Sequence, residues 1–173
     1  PTQLAITFLL VAAGLSPEQP DGSLSARFVF ALSLIDTVVL LSLILFFLLR
    51  RGENPLKVFF GDRRIIPEIG AGVLTLPAVI ALVVALSLVI QRLAPGLRTV
   101  PVNPLEGFLG TQTGIGMFLL VVIVAGGVRE ELQRAFLLHR FRGDLGQPWV
   151  GLCITSLAFG MGHTLQGYDV AVI

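Results

Sequence analysis

Long apolar runs separated by short polar stretches dominate the chain. Pro1–Ser16 is uncharged, Phe28–Leu49 is broken only by Asp36, and Ile69–Ile90 contains Pro77 but no charge. Gly107–Val128 is likewise uncharged, and Leu145–Tyr168 carries His163 near its end. A transmembrane helix takes roughly 20 apolar residues. Four of the runs reach that length, and Pro1–Ser16 reads as the remainder of a further span. The apolar residues after Asp169 can open another. The expected fold is an all-α, polytopic transmembrane helical bundle with about five spans visible. It forms a single membrane domain over residues 1–173. The start at Pro1 and the stop at Ile173 inside an apolar run predict a chain truncated at both ends, before further helices.

The polar stretches between the runs give the orientation. "RRGENPLKVFFGDRR" holds Arg50, Arg51, Lys57, Arg63 and Arg64, and the stretch before the fifth run holds Arg140 and Arg142. "SPEQPDGSLSAR" has only Arg27, and the stretch after the third run only Arg92 and Arg98. Basic residues collect on the cytoplasmic side, so loops 50–64 and 139–147 are expected in the cytoplasm. "PGLRTVPVNPLEG" then lies outside, and Pro95, Pro101 and Pro104 favour an extended cover over a helix there.

Composition supports the membrane assignment. Hydrophobic residues make up 54% of the chain and charged ones 13%, against about 25% charged in soluble domains. Mean hydropathy is +0.88. A net charge of +1 offers no field to recruit nucleic acid. The single cysteine, Cys153, forms no intramolecular disulfide and reads as a small packing residue. No signal-peptide pattern precedes the first run.

Against this background "GGVREELQRAFLLHRF", residues 126–141, is anomalous, because it sets Arg129, Glu130, Glu131 and Arg134 between apolar segments. One reading ends the fourth span at Val128 and lays Arg129–Arg142 on the cytoplasmic surface as an amphipathic helix. The other starts the span near Gly114, after the weakly apolar "GTQTG", and runs it to about Phe141, because "AFLLH" resumes burial after Arg134. The charges then lie at membrane depth, where ionisable groups mark function. Glu130 and Arg134 are placed to pair across one helical turn, while Glu131 points roughly 100° away. Asp36 is expected to hydrogen-bond within the bundle, through Thr37 or a neighbour. His139 reads as part of the cytoplasmic flank and Trp149 as an interfacial anchor.

A second polar signal is "SLAFGMGHTLQG", residues 156–167. Phe159 and His163 share a helix face, and Gly160 and Gly162 leave room for a close neighbouring helix. His163 alone is equally readable as a core histidine satisfied by one hydrogen bond. Depth links it to the carboxylates. Glu130 lies roughly 18 Å along a helix from Arg142, and His163 roughly 22 Å from Pro148. The short turn "RGDLGQP" makes the two spans antiparallel neighbours. A carboxylate facing an imidazole can activate a water, or bind a metal given a third ligand.

A Glu-Glu pair closely followed by Arg on one membrane helix, then Phe-x-x-x-His on the next, resembles the CPBP family. These are CAAX-protease and bacteriocin-processing intramembrane proteases, also called Rce1-like or Abi proteins. The resemblance covers about residues 70–173. It implies an intramembrane endopeptidase that hydrolyses peptide bonds with a water activated by glutamate and histidine. Carried over, Glu130, Glu131 and His163 are the catalytic residues, and Arg134 and Phe159 the motif anchors. The resemblance leaves open a metalloprotease in which His163 and Glu130 hold a divalent metal such as zinc. It further implies a multi-pass protein of the bacterial cytoplasmic membrane, whose partners are the lipid bilayer and a peptide or protein substrate, prenylated in the CAAX branch. Two departures stand out. "EELQR" has one residue fewer before Arg134 than the family's Glu-Glu-x-x-x-Arg, so Arg129 falls in the first glutamate's place when Arg134 is the anchor. The family's later motif, often His-x-x-x-Asn, has no counterpart here. The rivals are a non-catalytic membrane scaffold or bacteriocin-immunity-type protein, with the charges as helix-pairing glue, and, third, a proton-relaying transporter.

Overall fold

A computed structural model describes residues 2–62, 64–100, 105–110 and 112–173. It is 82% helical, with no strand among the described residues. The helices are α1 (Thr2–Ala12), α2 (Ala26–Arg50), α3 (Pro55–Phe60), α4 (Ile65–Leu93), α5 (Gln112–Val121), α6 (Glu130–Leu145), α7 (Pro148–Gly162) and α8 (Tyr168–Val172). A π-helical segment, Val122–Arg129, joins α5 to α6 into one unbroken helical run. Two helices, α2 and the one containing α4, are long and apolar enough to cross a membrane. The chain is thus an all-α bundle of the membrane type, and it divides into two compact units.

The first unit comprises Pro1–Phe59 and Pro104–His139. The side chain of Ser25 caps α2 by accepting from the Phe28 N–H at 3.4 Å, satisfying one of the orphan donors of a helix start. Phe28 then packs with Ile6 and Leu10 of α1, closing a helical hairpin. Phe30, Thr37, Ile44 and Leu48 are buried on α2, at helical spacing that sets them on one stripe. Phe30 meets Phe108 edge-on at 5.3 Å, just ahead of α5. Farther along, Asp36 meets Arg129, and Glu53 meets His139. Contacts that advance together along both chains mean that α2 and the α5–α6 run are parallel.

The second unit comprises Phe60–Asn103 and Arg140–Ile173. α4 continues through Pro77 and has no buried residue. After it the chain makes a short 3₁₀ turn at Pro95–Leu97. The expected extended cover falls partly on 101–104, outside the described residues. Gly146, at φ +64°, reverses the chain between α6 and α7, and Pro148 opens α7 where its missing N–H costs nothing. Phe141 lies over Gly151, where a β-carbon would come within 2.5 Å of it.

The fifth apolar run does not form one helix. α7 stops at Gly162, a 3₁₀ turn covers Thr164–Gln166, and Gly167 takes φ +127° before α8 begins. A backbone in that region excludes most side chains. α8 then folds back on α7, with the Ala171 carbonyl over Gly160. Gly160 therefore serves close packing as expected, whereas a β-carbon on Gly162 would meet open space.

Candidate functional site

Of the charges of 129–134, Arg129 is drawn into the interior of the first unit. Asp36 lies near the middle of α2, and Arg129 Nη1 donates to its Oδ2 at 2.5 Å. Both side chains are withdrawn from the surface, at 2% and 11% exposure. Arg129 is thereby packed against α2, whereas α6 beyond it buries no residue. The partner expected for Asp36 was Thr37 or a neighbour; Thr37 instead donates to the Ser33 carbonyl at 2.7 Å. Sequence reasoning missed Arg129 as the partner. The signal was available, since one acid and one base of opposite sign stand at mid-span in two parallel helices.

Arg129 reaches a second acid. Its Nη2 lies 3.3 Å from Glu130 Oε1. Glu130 is one-fifth exposed and Glu131 two-thirds exposed, at 21% and 66%. Arg134 donates to Glu131, three residues earlier. The expected partner of Arg134 was Glu130, four residues away. The structure gives Glu130 to Arg129, because the π segment ends at that residue and leaves the guanidinium fork between α2 and the start of α6. The two glutamates are thereby unlike. Glu130 sits in a half-buried ionic network, and Glu131 lies on an open face.

The helix changes geometry as it enters the charged stretch. π segments are rare and concentrate at functional positions. Gly126 and Gly127 stand inside this one, and glycine gives up the most helix stability of any residue but proline. At the far end of α6, His139 Nε2 lies 2.8 Å from Glu53 Oε2, so the presumed flank is tied to the loop after α2.

In the second unit, His163 is the C-cap of α7, and its backbone N–H bonds the Gly160 carbonyl at 3.0 Å. Its ring Nδ1 is buried with no hydrogen-bond partner among the described residues. The reading of a core histidine satisfied through that nitrogen is therefore not met there. Phe159 stands one turn earlier on α7, half-buried. The Tyr168 N–H donates to Thr99 Oγ1 at 3.2 Å, tying the start of α8 to the chain that follows α4. Glu130, Glu131 and Arg134 thus belong to the first unit, and Phe159 and His163 to the second.

A catalytic zinc takes three protein ligands. Among the described residues no three His, Cys, Asp or Glu side chains form such a set. The chemistry this chain does offer is a carboxylate held beside a guanidinium, and a separate imidazole with an unused buried nitrogen.

Residues 111–173 match the family described as type II CAAX prenyl endopeptidase Rce1-like. The match covers a little over a third of the chain and contains every candidate residue named above except Asp36, Glu53 and Thr99. That family is membrane-embedded and consists of proteases, in agreement with the resemblance carried by the two motifs. No curated protein and no solved structure matches the chain.

Proposed function

We propose that the chain is the motif-bearing part of a CAAX-protease-type intramembrane endopeptidase, with Glu130 as the general base. The observation that carries this is the half-buried carboxylate of Glu130, held by Arg129 at the depth of mid-α2. There it can take a proton from water while the water oxygen bonds the scissile carbonyl carbon. The carbon–nitrogen bond then breaks, and the proton passes from the carboxyl group to the leaving amine. His163, whose Nδ1 has no hydrogen-bond partner among the described residues, is the second motif's candidate for hydrogen-bonding the reacting oxygen. Glu131, paired with Arg134 on an open face, supports the site. A reactive carboxylate within such a helical bundle suits a substrate whose scissile bond is drawn to the membrane, such as a peptide bearing a prenyl group near its C-terminus.

The test compares Glu130→Gln and Glu131→Gln in the full-length protein, measuring cleavage of a prenylated peptide and thermal stability. Glutamine keeps volume and hydrogen bonding but cannot accept a proton from water. Glu130→Gln should lose roughly 10²–10⁴-fold in rate while remaining folded. Normal cleavage by Glu130→Gln with a dead Glu131→Gln moves the base by one residue. Normal cleavage by both replaces the protease with a scaffold held together by its charges. The finer localisation belongs to the same proposal. The protein crosses the membrane several times, in a bacterial cytoplasmic membrane, with residues 52–62 in the cytoplasm and 95–106 outside. Cysteine-accessibility labelling with the opposite sidedness overturns that orientation.

A further inference from the structure

We infer that Asp36 and Arg129 are positioning residues for Glu130, so that the reactive carboxylate is aimed from a helix outside the family-matched region. The inference rests on the reading of Glu130 as the base. It starts from how the fork is used. One guanidinium nitrogen, Nη1, serves Asp36 at 2.5 Å, and the other, Nη2, serves Glu130 at 3.3 Å. A planar guanidinium fixes the angle between its two acceptors, which a lysine ammonium cannot do. Asp36 is 1% exposed and is carried by α2, whose neighbouring Thr37, Ile44 and Leu48 are also buried. Its carboxylate is therefore a fixed post, and Arg129 a strut between that post and Glu130.

Helix pairing alone would not call for this arrangement. A buried ion pair that only joins two helices is best built with its remaining polar atoms satisfied. Here Asp36 Oδ1 and Arg129 Nε are buried without a partner among the described residues. The strut is also the last residue of the π segment, so the departure from α geometry ends where the aiming begins. Two acids share one cation, and the cluster keeps a net negative charge at Glu130. A single acid paired with Arg129 would leave no carboxylate over for a reaction.

Arg129→Lys is the decisive variant. It preserves the charge opposite Asp36 but offers one point where the fork offered two. In the full-length protein it should keep its thermal midpoint and its KM while kcat falls about tenfold. Asp36→Asn removes the charge of the post but keeps its shape, and kcat should fall with KM again unchanged. A wild-type kcat in Arg129→Lys overturns the inference. A kcat loss in Arg129→Lys that is matched by loss of thermal stability or by a raised KM also overturns it, because the pair is then only structural. Glu130→Gln, assayed alongside, separates the two levels. If it is inactive while Arg129→Lys has full kcat, only the positioning role fails. If it is fully active, the assignment of the base fails, and the positioning role with it.

Discussion

α2 and α4 are alike in length and apolar character, yet they differ in what the chain does with them. α2 buries six of its residues, including Asp36 and Thr37. α4 buries none. Its apolar side chains point outward, as they would toward lipid, with Ile66, Leu74 and Leu82 more than half exposed. Hydrophobic content cannot be the cause, since in a membrane an apolar side chain gains nothing by leaving lipid for protein. The difference is the polar group in the middle of α2. A carboxylate there has no favourable alternative to a partner, and Arg129 supplies it. Within the first unit, the buried Asp36–Arg129 pair is the polar fastening of α2 to its neighbour, added to the apolar contacts of Phe28 and Phe30.

Four substitutions break or sharpen this contrast. The largest effect is expected from Asp36→Ala, which strands Arg129 without its deepest partner. Removing one member of a buried pair costs about 3–5 kcal/mol, so unfolding in detergent should move by that order, whereas an unchanged midpoint dissolves the contrast. Next is Val79→Asp, which gives α4 the mid-span charge that α2 has but no partner for it. Insertion of that helix should become less favourable by about 2.5–3.5 kcal/mol, measured as the fraction inserted in a translocation assay. Gly160→Val probes packing without charge. Its β-carbon would come within 2.6 Å of the Ala171 carbonyl oxygen, and overpacking of this kind costs about 1–3 kcal/mol. Last is Leu82→Ala on the outward surface of α4. Its effect should stay within about 0.5 kcal/mol, and a larger loss would mean that α4 has a protein neighbour at that position.

Much of the fold is legible in the sequence, for a simple reason. Apolar length is a property of composition, so the run expected over Phe28–Leu49 is observed as Ala26–Arg50, and Ile69–Ile90 as Ile65–Leu93. Where a fourth span is expected from Gly114 to Phe141, the chain forms a continuous helical run from Gln112 to Leu145. What hydropathy does not encode is backbone geometry inside an apolar stretch. Gly126 and Gly127 give no warning of a π segment, and "GMGHTLQG" reads as continuous span although the helix ends at Gly162. The candidate site divides in the same way. Glu130, Glu131, Arg134, Phe159 and His163 come from motif spacing, and their neighbours on the chain are visible at once. The Arg129–Asp36 pair joins residues far apart in sequence, so no local pattern contains it. Two isolated charges at similar depth were its only trace.

The π segment has a consequence for how the gene tolerates changes in length. A wide helical turn holds surplus backbone within a structure that otherwise keeps α geometry on both sides. Losing a single residue between Val122 and Val128 can be absorbed by narrowing that turn to an ordinary helix, with Glu130 still facing its neighbours. A single-residue deletion within α6 has no such reserve and turns everything beyond it by roughly 100°. It would swing His139 away from Glu53 and leave that end of the helix unfastened. In a deletion scan of residues 118–145, the stretch preceding the two glutamates should therefore be the forgiving one.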